Sequence, residues 1–337
     1  MIATNTLVWT DASVKTLAQL SVGDKVVSNA QLKQVRTVER TEVDRTLTIR
    51  AAGVQDVCMS LDQQVYSRKP KDVECTWRIA AELDTEDFIW VPRLTATSWN
   101  TDYRSVALTR ELANVIGWYL AVGNAIPSTG MVYWNFTRAE EEYAAQLMSD
   151  LLVVRAFFVT ESSHNRIGMP RMQHTGINGI LVKFGSKRMS DWLKLNFGNA
   201  SANKHIPPWV YRTSPKFIDQ LLASYSHADG IAGREWLVST VSIDLAYGLQ
   251  RLLNKLGKCI RVITKDNTYG YPTLHQWEYV LYYGWHRRQS QKFVGAYKDH
   301  FECAIERITP SNKRMEVGTI HTVGSLPYAV PYLVMPT

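Results

Sequence analysis

Hydrophobic and polar residues alternate in short runs over the N-terminal part of the chain. Such runs are Thr6–Trp9, Lys25–Val27, Thr46–Ile49 and Phe88–Val91, and turn-forming residues separate them. Alternation at period two is typical of half-buried strands. One helix is expected to interrupt these strands, over Trp77–Leu83. We therefore predict an N-terminal domain built mainly of β-strands.

From about Leu108 the spacing of apolar residues changes to that of amphipathic helices. A first helix begins after the N-cap candidate Thr109 and ends at Gly123–Asn124. A second begins at Ser214–Pro215 and ends at Asp229–Gly230. Each is followed by a segment with another amphipathic helix and strand-like runs. Because this order occurs twice, roughly a hundred residues apart, the chain contains an internal duplication.

Small residues lie four positions apart on each of the two equivalent helices. They are Gly117 and Ala121 on the first helix, and Ser224 and Ala228 on the second. Residues at this spacing share one face of a helix. Two such faces allow the two backbones to approach closely across a pseudo-twofold axis, so that the C-terminal ends of the helices meet.

The residue before the closing glycine differs between the two helices. It is Asp229 in the second helix and Val122 in the first. Two carboxylates side by side at the helix ends would hold divalent cations, as phosphodiester hydrolysis requires. Valine cannot bind a metal, so half of this arrangement is missing.

The letters of the two helices resemble those of the LAGLIDADG homing endonucleases. Leu222–Gly230 reads L-A-S-Y-S-H-A-D-G, and Val115–Gly123 reads V-I-G-W-Y-L-A-V-G. The segments Asn203–Val210 and Ser239–Ala246 are similar to those that flank the second motif in intein-borne members. This resemblance implies an α+β fold class, with a two-repeat αββαββα domain that we expect over residues 106–295.

Membership in this family implies site-specific cleavage of double-stranded DNA with Mg²⁺ as the cofactor. Asp229 then corresponds to a catalytic metal ligand, and Val122 is a degenerate catalytic position. The family also uses a basic residue near the scissile phosphate, for which Lys183 is the candidate here. Decayed or strongly reduced cleavage is the favoured interpretation. The alternatives are that another group binds the metal or that only one strand is cut.

In the family, a twisted sheet of each repeat lies in the major groove and contacts base edges. Arginine and glutamine suit guanine and adenine edges, while Lys204, Arg287 and Arg288 are expected to serve phosphates. The expected DNA-binding residues are Arg166, Arg171, Gln173, Lys204, Arg234, Lys265, Gln276, Arg287 and Arg288.

The two ends of the chain resemble the Hint domain of inteins, which performs protein splicing. The resemblance lies in Leu20–Val26, in Trp77–Leu83 and in the closing strands around Tyr328–Val334. It implies a discontinuous all-β domain, expected over residues 1–105 and 296–337, into which the endonuclease-like domain is inserted.

Splicing needs a nucleophile at the first residue, a histidine in a T-x-x-H segment and a terminal His-Asn pair. The first position here is Met1, the T-x-x-H segment ends in Gln63, and the terminal pair reads Met335–Pro336. The framework is retained while each chemical group is replaced. We therefore expect that splicing is lost and that the Hint-like domain is degenerate.

The charge and composition of the chain are compatible with a DNA-binding protein. The formal net charge is +7 and the isoelectric point is about 9.1, which is compatible with phosphate contacts. The sequence shows no secretory signal and no apolar run long enough to span a membrane, so an intracellular protein is expected.

The expected state is a monomer with an internal pseudo-twofold axis. A second hypothesis is a non-catalytic, domesticated DNA-binding protein or a structural subunit of a larger assembly.

Overall fold

The computed structural model of the protein describes residues 1–11, 14–28, 31–94, 100–159, 168–230, 236–266, 276–283, 294–297, 299–323, 328–330 and 333–335. It contains both helices and sheets, which confirms a fold that mixes the two. The chain divides into two compact units. The first comprises Met1–Ala96, Leu253–Val262 and Trp285–Thr337, and the second comprises Thr97–Leu252 and Ile263–Gly284.

Strands make up the N-terminal part, and most of them are short. In chain order they are β1 (Ile2–Ala3), β2 (Leu7–Trp9), β3 (Val14–Thr16), β4 (Lys25–Ser28), β5 (Gln31–Val43), β6 (Thr46–Ala51), β7 (Val57–Ser60), β8 (Gln64–Arg68), β9 (Thr76–Ile79), β10 (Phe88–Pro92), β11 (Asp102–Tyr103) and β12 (Val106–Ala107).

Helices alternate with strands in the middle of the chain, and strands close it. These elements are α1 (Arg110–Val122), β13 (Gly123–Ile126), β14 (Met131–Thr137), α2 (Glu141–Phe158), β15 (Arg171–Thr175), β16 (Gly179–Gly185), α3 (Lys187–Phe197), α4 (Pro215–Asp229), β17 (Trp236–Thr240), α5 (Ile243–Lys255), β18 (Val262–Asp266), β19 (Trp277–Tyr283), β20 (Val294–Ala296), β21 (His300–Ser311), β22 (Met315–Thr322), β23 (Tyr328–Val330) and β24 (Leu333–Met335).

The first unit is built on one large sheet. Its strands follow the order β4-β5-β22-β1-β7-β6-β21-β10-β8-β9, and β20 pairs with β21 beside this path. Strands from the two ends of the chain are neighbours in it, since Ile2 lies opposite Gly318. Residues from many of its strands, among them Trp9, Val65 and Phe301, are buried in one core. Burial alternates along β8 and over Phe88–Val91 of β10, as the sequence pattern predicts, whereas neighbouring residues of β2, β4 and β21 are buried together.

The helix predicted over Trp77–Leu83 is wrong. Thr76–Ile79 forms β9, and only Ala80–Glu82 forms one turn of 3-10 helix. Trp77 and Ile79 are exposed on one face of this strand, whereas Ala80 and Leu83 after it are buried. Hydrogen bonds with β8 satisfy the backbone N–H and C=O groups on one side of β9.

The second unit contains two sheets, each preceded in the chain by one of the helices α1 and α4. The first half runs α1, β13, β14, α2, β15, β16 and α3, with a sheet in the order β13-β14-β16-β15. The second half begins with α4 and has a smaller sheet in the order β17-β19-β18. Of the helices that the structure describes, none combines the length and apolar composition needed to cross a membrane.

Candidate functional site

Helices α1 and α4 pack directly against each other, and a glycine allows their close approach. A Cβ atom placed on Gly117 would lie 2.4 Å from the carbonyl oxygen of Leu221 and 2.7 Å from Cβ of Ser224. No real side chain tolerates such distances. The small residues Gly117 and Ser224 therefore lie at the contact between the two backbones.

A polar network is buried beside this contact. The Ser224 hydroxyl donates to the side-chain oxygen of Asn114, and the Asn114 amide donates to the carboxylate of Asp150 on α2. Gln146 donates to the other oxygen of Asp150 at 2.9 Å. Burial raises the pKa of the Asp150 carboxyl, and its hydrogen bonds to Asn114 and Gln146 oppose that shift. The network links α1, α2 and α4 at one level of the helix pair.

The two helices end in the same way. Gly123 follows α1 with φ −86° and ψ 153°, and Gly230 follows α4 with φ −86° and ψ 156°. The chain therefore continues from each helix into extended backbone, and neither glycine has the left-handed conformation of many helix ends. Val122 and Asp229 are consequently the last residues of equivalent helices. Ala121 and Ala228, one position earlier, are both half-buried.

The Asp229 carboxylate lies in a confined environment of mixed charge. Burial raises its pKa, while the Lys204 ammonium and a hydrogen bond with the Tyr225 hydroxyl act in the opposite direction. The Glu140 carboxylate adds a smaller effect that also raises it. The positive charge of Lys204 thus favours the ionised form of Asp229, against the effect of burial.

The prediction that Lys204 contacts DNA phosphates is wrong. Lys204 is only 3% exposed, and its Nζ donates to the carbonyl oxygens of Tyr119 at 2.8 Å and Gly123 at 3.0 Å. A longer contact of 3.5 Å reaches the carbonyl of Ala121. These carbonyls belong to the C-terminal end of α1, where a helix carries partial negative charge. A group enclosed in this way cannot also reach a phosphate.

The residues at the helix ends do not fit the Mg²⁺ site that the resemblance implies. Mg²⁺ sites use one or two carboxylates together with water and phosphate oxygens. Asp229 is the only acid of the two terminal positions, and the Lys204 ammonium adds a positive charge that acts on its pKa.

The Lys204 ammonium gives the stability of this region a pH dependence. Burial lowers the pKa of Lys204 to about 8, against an ordinary value of 10.5, although the Asp229 carboxylate opposes the shift. Between these values the unfolded chain binds more protons, so the folded state gains stability as the pH rises. We expect wild type to gain about 1 kcal/mol per pH unit over Lys204→Met in this window, measured by urea unfolding. Parallel pH profiles for the two proteins would show that burial does not shift this group.

One face of the first half's sheet carries mostly polar side chains, which are exposed or half-buried. The opposite face carries the buried residues Val132, Trp134 and Val182, which pack towards the helices. Strand register places Arg171 opposite Lys183, and Lys183 opposite Tyr133. The next row contains Gln173, Leu181 and Asn135. Asn124, on β13, pairs with Tyr133 on β14.

Lys183 and Gln173 contact each other on this exposed face. Lys183 Nζ donates to the side-chain oxygen of Gln173 at 2.8 Å, and Arg171 is exposed beside them. The structure thus brings three residues predicted to act on DNA onto one surface. Their action on DNA stays a prediction.

The other predicted DNA-binding residues are placed less completely. Lys265 on β18 and Gln276, just before β19, are both exposed. The remaining four, Arg166, Arg234, Arg287 and Arg288, lie outside the described residues.

Two of the positions matched to splicing chemistry meet in the first unit. The Met1 nitrogen donates to the Ser60 hydroxyl at 3.0 Å and to the side-chain oxygen of Gln63. Met1 offers no side-chain nucleophile, and Gln63 replaces the histidine of the T-x-x-H segment. Met335 lies in β24, where its side chain is not described, and Pro336 lies outside the described residues.

Sequence reasoning missed two parts of this site. Tyr225 lies one helical turn before Asp229, a spacing that could have indicated a contact. The position of Lys204 beneath α1 depends on how a distant loop folds back, and no pattern in the sequence indicates it.

Comparisons with known proteins add the following. No family model matches the sequence. The ATP-dependent DNA helicase Hel308 of Thermococcus kodakarensis is 29% identical over 158 residues, which span 44% of this chain and only 13% of the helicase. A solved structure of I-DmoI with its target DNA and manganese has a TM-score of 0.32 at 13% identity, covering 52% of this chain and 88% of that one. The gp41-1 intein has a TM-score of 0.22 at 18% identity, covering 27% of this chain and 66% of that one.

Proposed function

We propose that the second unit binds double-stranded DNA at a specific sequence, as a LAGLIDADG-type protein whose cleavage chemistry is impaired. The observation that supports this most directly is the exposed polar face of the β13-β14-β16-β15 sheet. Arg171, Lys183, Gln173 and Asn135 project from it in two adjacent rows. Arginine, lysine and the amides are the side chains that form paired hydrogen bonds with base edges in the major groove.

The helix pair supports the same proposal, because it provides the duplicated frame that reading two half-sites requires. Gly117 brings α1 and α4 together, and the equivalent ends at Gly123 and Gly230 each continue towards a strand. A sheet in each half then follows from its own helix end. We propose that the β17-β19-β18 sheet contacts DNA through Lys265 and Gln276.

Impaired cleavage follows from the groups at the helix ends. Asp229 is a single carboxylate under the electrostatic influence of the Lys204 ammonium, and Val122 offers no ligand. We propose that Lys204 compensates the charge at these ends and that DNA binding needs no divalent cation. The first unit then serves as a degenerate Hint-like scaffold, because Gln63 replaces the histidine of the T-x-x-H segment.

A second candidate function is that of a wholly non-catalytic protein, retained as a DNA-binding factor or as a subunit of a larger assembly. Val122 is the observation that favours it. The two candidates differ in whether any residual strand cleavage accompanies binding.

Selection of bound duplexes from a random library tests the proposal. We expect one sequence to be enriched, and fluorescence anisotropy with that duplex to give a similar affinity with Mg²⁺ and with EDTA. Arg171→Ala and Lys183→Ala should each weaken binding by about 5-fold to 100-fold, as base-edge contacts do. Lys194→Ala removes the same charge from the exposed side of α3 and is the matched control.

Two results would contradict this proposal. The first is a library that shows no enrichment. The second is an equal loss of affinity for Lys194→Ala, Arg171→Ala and Lys183→Ala, because a uniform effect indicates only a general attraction to phosphates.

A further inference from the structure

Strand β9 (Thr76–Ile79) ends the strand path of the first unit's large sheet. Among the described strands it pairs with β8 alone. The Ala80 nitrogen donates to the Gln63 carbonyl at 2.7 Å, which fixes the alternation of bonds along β9. The backbone groups of Arg78 therefore point towards β8, and those of Trp77 and Ile79 point away from it. No other described residue accepts or donates a hydrogen bond at these outward groups.

The same two residues carry exposed apolar side chains. Trp77 is 40% exposed and Ile79 is 37% exposed, and both lie on one face of the strand. The Trp77 ring packs on Tyr66 with 5.1 Å between ring centroids. Free backbone groups and apolar side chains thus coincide at two positions of an edge strand, which is the arrangement that favours pairing with another strand.

A second exposed edge in the same sheet is protected, which makes β9 distinctive. Strand β4 pairs with β5 over Gln31–Gln34, and Gly23 and Asp24 bond to Val35, so β5 is open on that side from Arg36 onwards within the described residues. That open part carries the exposed charges of Arg36, Glu39, Arg40 and Glu42. Charges of this kind are a common protection against edge-to-edge association. The outward positions of β9 carry none.

We propose that β9 pairs with β9 of a second copy of this chain, antiparallel and centred on Arg78. In this register Trp77 lies opposite Ile79 of the partner subunit, and Ile79 lies opposite Trp77 of the partner subunit. All four residues have outward backbone groups, so both pairs are of the hydrogen-bonded type. The strand is therefore complementary to itself, as a twofold interface requires. Each tryptophan gains an isoleucine as its cross-strand neighbour.

The charge at the centre of this register is already compensated. Arg78 would lie opposite Arg78 of the partner subunit, and like charges at opposed positions destabilise a sheet. Its side chain, however, lies on the other face and forms an ion pair with Asp87 at 2.8 Å. Asp87 is only 1% exposed, so each arginine is held and neutralised within its own subunit.

Sedimentation analysis of the full chain over a range of concentrations tests the proposal. A short strand gives a small interface, so concentrations up to the order of 100 µM are needed. We expect the mass to rise from the monomer value of 38.4 kDa towards twice that value. Ile79→Pro removes the outward N–H group, and the φ of −71° at this residue suits proline without strain. This variant should stay monomeric.

Two further variants keep the test decisive. Ile79→Lys places a charge on the edge and should also stay monomeric, which covers a folding defect specific to proline. Val73→Lys removes an apolar residue that is 94% exposed in the turn before β9, and it should dimerise as wild type does. Monomeric wild type at all concentrations overturns the proposal, as does an equal dimer in Ile79→Pro and Ile79→Lys, each shown to be folded by circular dichroism.

Discussion

Alanine at position 117 is expected to lower the melting temperature of the second unit by about 10 °C, because it forces α1 and α4 apart. In an ordinary helix, replacing glycine by alanine gains about 1 kcal/mol. Here the new Cβ would lie 2.4 Å from the Leu221 carbonyl oxygen, which is backbone of the facing helix and cannot rotate away. Overpacking typically costs about 1–3 kcal/mol, and a collision with backbone belongs at the upper end of that range or beyond it.

Gly185→Ala is the matched control for this substitution. A Cβ at Gly185 would meet only the Met131 sulfur, at 3.3 Å, and that side chain is flexible. We expect thermal unfolding of this variant to stay within a few degrees of wild type. A Gly117→Ala protein with an unchanged melting temperature would mean that the two helices are less closely packed than the structure shows.

Val122→Asp is expected to give a protein that cuts its bound duplex when Mg²⁺ is supplied, whereas wild type binds the duplex and leaves it intact. The substitution places a second carboxylate at the end of α1, in the position equivalent to Asp229 at the end of α4. A bound metal stabilises transition-state charge by several kcal/mol, which corresponds to a rise of about 10²-fold or more in rate. Gel analysis of end-labelled duplex measures both strands.

The double variant Val122→Asp with Asp229→Asn is the control, since it keeps the introduced acid and removes the native one. It should bind DNA and leave it intact. If wild type already cuts both strands, impairment by Val122 is refuted. If Val122→Asp binds metal and DNA but cuts neither strand, decay has also affected other groups, and Lys183 is the first to test.

Local and periodic features of this protein could be predicted from its sequence. Helical spacing predicted α1 and α4, and the repeated order of elements predicted that Val122 and Asp229 end equivalent helices. The small residues Gly117 and Ser224 lie at the helix contact as expected. These features depend on short stretches of chain or on a duplication, both of which leave a regular signal.

Features that depend on distant parts of the chain could not be predicted. Lys204 meets the end of α1 only because the segment after α3 folds back over it, so its charge was assigned to phosphates. The Trp77–Leu83 segment has enough apolar residues for a helix, but pairing with β8 determines that it is a strand. Asn114 and Asp150 likewise lie on two different helices, α1 and α2. The apolar periodicity of these helices does not show that the two residues face each other.

The buried contact between Asn114 and Ser224 determines which half can pair with which. The aligned motifs place Gly117 at the position of Ser224, and Asn114 at the position of Leu221. In a pair of two first halves, each Asn114 would face Gly117 of the other copy. The Ser224 hydroxyl that now donates to Asn114 would be absent. Two copies of the second half would bring serines into the space that Gly117 leaves free. Each half therefore selects the other over a copy of itself, by an unpaired polar group in one case and by a collision in the other.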